Sequence, residues 1–553
     1  MRIPLALALA ACGAVPLSAS AAALLLTGGR IYTGDAAQPR AEAVVAIDGR
    51  IAFVGTEAEA RQRAPADVRV IGLGGGTMFP GFVDAHAHLV GIGQREQTFN
   101  LEGTRSGAEL QEKLRRRAAE TAAGKWIVGR GWIESQWSPP KFPTRADLDT
   151  AVPDRPVYLT RADGHAAVVN SRALELAGVN RSTPNPIGGE ILRDASGEPN
   201  GMLIDRAMNL VRRLAPDDET DLARALEVGA AREVQLGWTQ VQIAGASVNE
   251  RAALRDFARA GRSKLRLYVA VSGPGAAAEE LLRDGAESDD RFTVRAIKLY
   301  IDGALGSRGA ALLEPYADAP QSRGLLVNTE DVLFGILTRA LRAGIQIETH
   351  AIGDRGNRNM LDLYERAFEA VPPGERRIKE PRWRIEHAQV IAPADLPRFA
   401  KLGIIASMQP SHAIGDLYFA PSRLGKTRLA GAYAWRSLID RGAIVAGGTD
   451  APVERGEPLI EFYAAVARRA LDGFANEDWH LEQRVTRAEA LKMFTVWPAF
   501  AAYQENERGT IAVGKMADFT VFSADITTIP EAEILKARCV MTIIGGEVAW
   551  EAP

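Results

Sequence analysis

Cysteine is nearly missing from this chain: 553 residues carry two, Cys12 and Cys539. Cys12 lies in an N-terminal apolar run, so no internal disulfide braces the fold, and none is needed at a length that buries an extensive core. An excess of either charge is missing too, with 66 Lys and Arg against 69 Asp and Glu and a net charge of −3. The basic footprint of a nucleic-acid or anionic-membrane binder is thereby excluded. The 53 glycines and 29 prolines form no low-complexity tract, and their spread suits many short connections between strands and helices. Histidine is scarce, seven in all, so the position of each one carries weight.

No apolar run is long enough to span a bilayer. The one at the start, 3–16, follows Arg2 and precedes Leu17-Ser-Ala-Ser-Ala-Ala-Ala23. That order reads as a secretory leader over 1–21, cleaved near Ala21 or Ala23, and predicts a periplasmic or secreted protein. Leu9-Ala-Ala-Cys12 resembles a bacterial lipoprotein box, and lipidation of Cys12 is the second alternative.

From residue 24 to about 80 the pattern is strand and turn, with Asp48-Gly49 between β-rich runs as a hairpin signal. The C-terminal end repeats it, which predicts a β-sandwich composed of 22–79 and 500–553. Between them, apolar runs at 79–84, 238–243, 265–271, 294–300, 345–349, 383–386, 404–408 and 443–447 alternate with amphipathic helical stretches. Eight such units predict an α/β fold, a (β/α)8 TIM barrel over 80–499. The gap after the first run is too long for one crossover, so an insertion is expected at about 100–215. A second long connection, 455–485, has the length of a lid or substrate wall.

The first run ends in His86-Ala-His88. Alternate strand positions share a face, so both imidazoles point one way, as a borderline-soft divalent metal such as zinc requires. Taken alone, the pair reads equally well as two partly buried polar residues. At the carboxyl ends of later strands, where barrel active sites are built, stand Lys298, His350, His387 and Asp450. Any single one of these reads as a satisfied core residue or, for Asp450, a helix cap. Their joint placement points to a metal centre.

Several motifs resemble those of the amidohydrolase superfamily, and more closely its YtcJ-like branch, which contains N-substituted formamide deformylases. They are Pro80-Gly-Phe-Val-Asp-Ala-His-Ala-His88, Gly129-Arg-Gly-Trp132, Asp163-Gly-His-Ala-Ala-Val-Val-Asn-Ser171, Ile297-Lys-Leu-Tyr-Ile-Asp-Gly-Ala-Leu-Gly-Ser-Arg308, Thr349-His-Ala-Ile-Gly-Asp354, Arg384-Ile-Glu-His387, Met408-Gln-Pro410 and Gly448-Thr-Asp450. The resemblance implies one Zn2+ on His86, His88 and Asp450 and a second on His350 and His387, bridged by a carboxylated Lys298. It further implies hydrolysis of a small molecule's amide-type C–N bond by metal-activated water. Asp450 would shuttle the proton and His165 would reach over the metals as a hydrogen-bond donor.

Four further residues are candidates for the substrate wall: Trp132 as an aromatic surface, Asp302 and Arg308 at the mouth after the fourth strand, and Gln409 as a carbonyl donor. Against each stands a structural reading, respectively core filling, an internal ion pair and a turn. His412 and His480 are assigned to surface or loop. The chain departs from its relatives at the end of the second strand, where Val241-Gln-Ile-Ala-Gly245 carries neither histidine nor aspartate. Esters, lactones and cyclic amides remain open as alternative substrates, as does an inactive binding protein, and a phosphotriesterase-like enzyme shares the ligand order. The expected partner is a small molecule, without nucleic acid or a membrane span, and homo-oligomerisation stays open.

Overall fold

Eight parallel strands form the centre of this computed structural model, which describes residues 23–215 and 222–553. The predicted leader, 1–21, and Cys12 lie outside the described residues. The strands are Phe82–Ala87, Trp238–Ala246, Arg266–Ser272, Phe292–Tyr300, Gln346–Ala351, Arg384–His387, Ile405–Met408 and Val445–Gly447, hydrogen-bonded in sequence order. Each overlaps one of the eight apolar runs, and the helices between them make the fold α/β with a TIM-like barrel. The sheet is nearly closed. Across its seam Thr449 N–H donates to Asp84 at 2.9 Å and Asp450 N–H to the carbonyl of His86 at 2.6 Å. Gly448 permits that approach, because a Cβ there would stand 2.5 Å from His86 N.

The run at 79–84 divides between two sheets. Thr77–Pro80 pairs antiparallel with Phe519–Phe522, whereas the barrel strand begins at Phe82. Gly81 is the break, and a Cβ on it would meet Thr239 Oγ1 at 2.3 Å. The six-stranded sheet around that pair takes strands from both ends of the chain. Beside it lies a four-stranded sheet of Ala23–Thr27, Ala43–Ile47, Arg50–Gly55 and Arg69–Gly72. Leu24, Val44 and Ile71 of the smaller sheet share one apolar cluster with Met78, Phe519 and Ile543 of the larger. Asp48 and Gly49, with φ of 51° and 79°, turn the chain between Ala43–Ile47 and Arg50–Gly55, as a tight hairpin turn requires.

The helices follow local rules. Val248–Arg259 starts in a capping box of Ser247 and Glu250, and Glu330–Ala343 stops at Gly344 in the left-handed region. The latter buries Leu333, Ile336, Leu337 and Leu341 against the barrel, each contributing roughly 1.5–3 kcal/mol. Between the first and second barrel strands stands a further six-stranded sheet, Phe99–Asn100 through Pro199–Asp205. It has an apolar cluster of its own, including Leu110, Leu114, Leu148 and Leu159, and its residues Arg130, Arg161 and Asp163 share a cavity wall with His350, His387 and Asp450 of the barrel.

Candidate metal centre and active-site cavity

Parallel register aligns the strand ends. Lys298 pairs with Glu348, Tyr300 with His350, and Ala351 with His387, so residues far apart in sequence reach one depth. His86 and His387 have ring centroids 4.9 Å apart, His350 and His387 4.6 Å, and His86 and His88 5.6 Å. Asp450 lies among them, its Oδ1 3.1 Å from His88 Nε2 and 3.5 Å from His86 Nε2. It holds that position with φ of 58°, a conformation asparagine and aspartate tolerate best. Lys298 Nζ is 3.3 Å from His86 Nε2. The six side chains named as ligands from the sequence therefore cluster at one end of the barrel.

The donor chemistry suits a cation. His86 Nδ1 faces Glu386 and His387 Nδ1 donates to Gln409 Oε1 at 2.8 Å, which leaves Nε2 of both rings for the centre. Metal-binding histidines are oriented in this way by a partner on the second nitrogen. Burial, reinforced by neighbouring cations, holds His86, His350 and His387 well below the usual imidazole pKa, so their lone pairs are available. Burial works against an ionised Asp450, but the surrounding imidazoles outweigh it and keep the carboxyl well below its ordinary pKa. The potential ligand atoms of His86, His88 and Asp450 all lie within 4.8 Å of one another. Lys298 is buried, which lowers its pKa, and no carboxylate among the described residues comes within ion-pair distance. An uncompensated buried ammonium is costly, and conversion of Nζ to a carbamate would remove that cost.

A second set, His387, His412 and Asp450, meets the same 4.8 Å limit. His412 is thus not a surface residue. It sits in the helix Pro410–Asp416, its ring 5.6 Å from that of His387 and its Nε2 3.5 Å from Asp450 Oδ2. His350 turns Nε2 toward the carbonyl of Gly303 at 3.4 Å, which leaves it outside both sets.

Above the centre opens a cavity of about 510 Å3, with His165, His350, His387, His412 and Asp450 on its wall. His165 Nδ1 is 2.6 Å from Asp205 Oδ1 and its ring 5.1 Å from His350. Burial would lower its pKa, yet the Asp205 carboxylate raises it to about 9, and the charged ring is a standing donor at neutral pH. Asp205 carries no sequence signal beyond ending a strand. Its backbone has φ of 47°, strain of a kind that collects at functional sites.

The amidohydrolase family model matches residues 69–549. The chain belongs to the amidohydrolase family. It is 34% identical to "Putative amidohydrolase YtcJ" of Bacillus subtilis over 534 residues, covering 95% of this chain and 98% of that one. It is 29% identical to "N-substituted formamide deformylase" of Arthrobacter pascens, covering 96% and 98%. An uncharacterized metal-dependent hydrolase from Pyrococcus horikoshii has the same architecture, with a TM-score of 0.73, 25% identity, and coverage of 92% of this chain and 99% of its own.

In this amidohydrolase the four substrate-wall candidates sit elsewhere. Trp132 is fully buried and donates to the Leu159 carbonyl at 2.9 Å. A bulge in Ile127–Trp132 shifts register between Arg130 and Trp132, which turns the indole into the insertion's core and Arg130 to the cavity. Asp302 accepts from the backbone N–H of Ala311, Ile352 and Gly353 at 2.8–2.9 Å, so it ties loops together. Arg308 pairs with Asp318 at 2.8 Å and is absent from the cavity wall. Gln409 orients His387 from behind. Arg130, inside a motif whose tryptophan drew the attention, is the wall residue that sequence reasoning passed over.

Proposed function

We propose that this amidohydrolase is an exported enzyme that cleaves an amide-type C–N bond of a small molecule at a divalent-metal centre. The observation that carries the reading is the convergence of four imidazoles, a lysine and an ionised aspartate beneath one cavity. His86, His88 and Asp450 would hold one cation and His350, His387 and a carboxylated Lys298 a second, with zinc the best match to these donors. When bound, such ions polarise a carbonyl and bring the pKa of water to about 7.

The chain's own residues supply the rest. Asp450, ionised and beside the cation ligands, takes the proton of the attacking water and returns it to the departing nitrogen. His165, charged through Asp205, donates to the carbonyl oxygen where negative charge develops. Glu386 and Gln409 fix the ring orientation of His86 and His387. The apolar leader supports export, and mass spectrometry of the mature N-terminus tests it. Esters and lactones present the same carbonyl, and a panel of chromogenic esters and N-acyl compounds separates them from amides.

Purified protein is expected to hold close to stoichiometric divalent metal, and His86→Ala and Asp450→Asn to lose at least about 100-fold in kcat/KM. Protein free of metal that turns over normally, or variants as active as wild type, would sink the proposal.

A further inference from the structure

The cavity wall has one charged group that the chemistry above leaves without work. Arg130 comes from Ile127–Trp132, an inner strand of the inserted sheet, and lines both the main cavity and its continuation of about 450 Å3 over His86, His88 and Lys298. One of its terminal nitrogens donates to the carbonyl of Pro452 at 3.0 Å, which tethers the guanidinium two residues from Asp450. Among the described residues its Nε and other terminal nitrogen meet no hydrogen-bond partner, and no carboxylate lies within ion-pair distance of it.

The other enclosed arginines of the wall are committed. Arg161 pairs with Glu134 and Asp163 at 2.8 and 2.5 Å, and Arg95 donates to the carbonyls of Glu454 and Arg455 and pairs with Glu96 at 3.2 Å. Arg130 is also aimed on purpose. Gly131 has φ of 98°, and a Cβ there would stand 3.0 Å from Glu102 N. The bulge it permits is a recognised device for re-aiming a side chain beside an active site. A half-buried guanidinium held at one edge and open at the other has the geometry that binds a carboxylate.

We propose that Arg130 is the anchor for a substrate carboxylate, so that the amide cleaved here belongs to an N-acyl amino acid or a close analogue, with an anionic group beside the scissile bond. The apolar lining fits the remainder: Ile133, Leu305, Ile414, Phe419, Ile460 and Leu471 offer surface to a side chain or acyl group. The inference rests on the cavity being the substrate site of the proposed hydrolase.

The experiment uses metal-loaded full-length protein and probes that cannot be hydrolysed. These are 2-benzyl-4-oxopentanoate, in which a methylene replaces the amide nitrogen of N-acetylphenylalanine, and the neutral 3-benzylhexane-2,5-dione, in which a methyl ketone replaces its carboxylate. Calorimetry should show the acid binding wild type at least about tenfold tighter than the diketone. Arg130→Met should abolish that preference while leaving affinity for the neutral probe and the melting temperature unchanged, and Arg130→Lys should restore part of it. Equal affinities in wild type, no measurable binding of the acid, or a preference that survives Arg130→Met would overturn the proposal. In parallel, acetate release from N-acetylphenylalanine separates the two readings. Turnover without acid preference removes the anchor and keeps the hydrolase, whereas acid preference without turnover does the reverse.

Discussion

Glu386 shows how much one buried side chain decides. It lies fully enclosed, beside His387 in sequence and against His86 Nδ1 in space. A carboxylate there accepts the Nδ1 proton and fixes the tautomer that presents Nε2 to the centre; an amide can present its N–H2 and stabilise the wrong one. Glu386→Gln is therefore expected to weaken metal retention about 10–100-fold, measured by competition with a chromogenic chelator. Unchanged retention would remove Glu386 from the centre's design. The residue was visible in Arg384-Ile-Glu-His387, yet alternation along a strand turns neighbours to opposite faces, so nothing local links it to a histidine 300 positions earlier. His412 escaped for a related reason. Three residues beyond Gln409, its direction depends on a short helix bending back over the barrel, which strand-end reasoning does not reach.

Among elements, the strand Ile127–Trp132 carries the clearest lesson. Regular pleating would place Val128, Arg130 and Trp132 on one face. The bulge at Gly131 instead puts the guanidinium in the cavity and the indole in the core. Gly131→Ala should cost about 1–3 kcal/mol, because an alanine at φ of 98° is strained and its Cβ crowds the Glu102 backbone. Chemical denaturation checks this, and a midpoint equal to wild type would show that the bulge can be built without glycine. The eight barrel strands were legible because parallel strands buried on both faces read as short continuous apolar runs. Their exact starts were not. Pro80-Gly81 hides a change of sheet inside one apolar stretch, and a periodicity of two cannot say which sheet a strand joins.

For the whole molecule, a buried ion pair fastens the terminal sheets to the barrel. Asp518, just before Phe519–Phe522, takes two hydrogen bonds from Arg266 at 2.7 and 2.9 Å and one from the Gly545 N–H at 2.8 Å. Burial pushes the Asp518 pKa upward, but Arg266 and Arg508 outweigh it and hold the carboxyl below its ordinary value. Its stabilisation is thus fully present above the unfolded pKa, about 3.9, and is lost as pH falls through the lower folded value. Asp518→Asn strands Arg266 and should cost roughly 3–5 kcal/mol at pH 7. The stability gap to wild type should narrow below about pH 4. A gap that stays constant down to pH 2 would mean that the pair's charge contributes nothing.

The sequence by itself determined the eight-unit barrel, the long first insertion and the six groups that meet beneath the cavity. Each of these is written in local pattern: apolar runs, helical periodicity, and chemistry-bearing residues at strand ends. Only the tertiary structure decided which neighbours orient those groups, that His412 joins them, and that Arg130 and not Trp132 faces the cavity. Those outcomes depend on bulges, loop reach and contacts between segments hundreds of residues apart, and such contacts exist only once the chain has closed on itself.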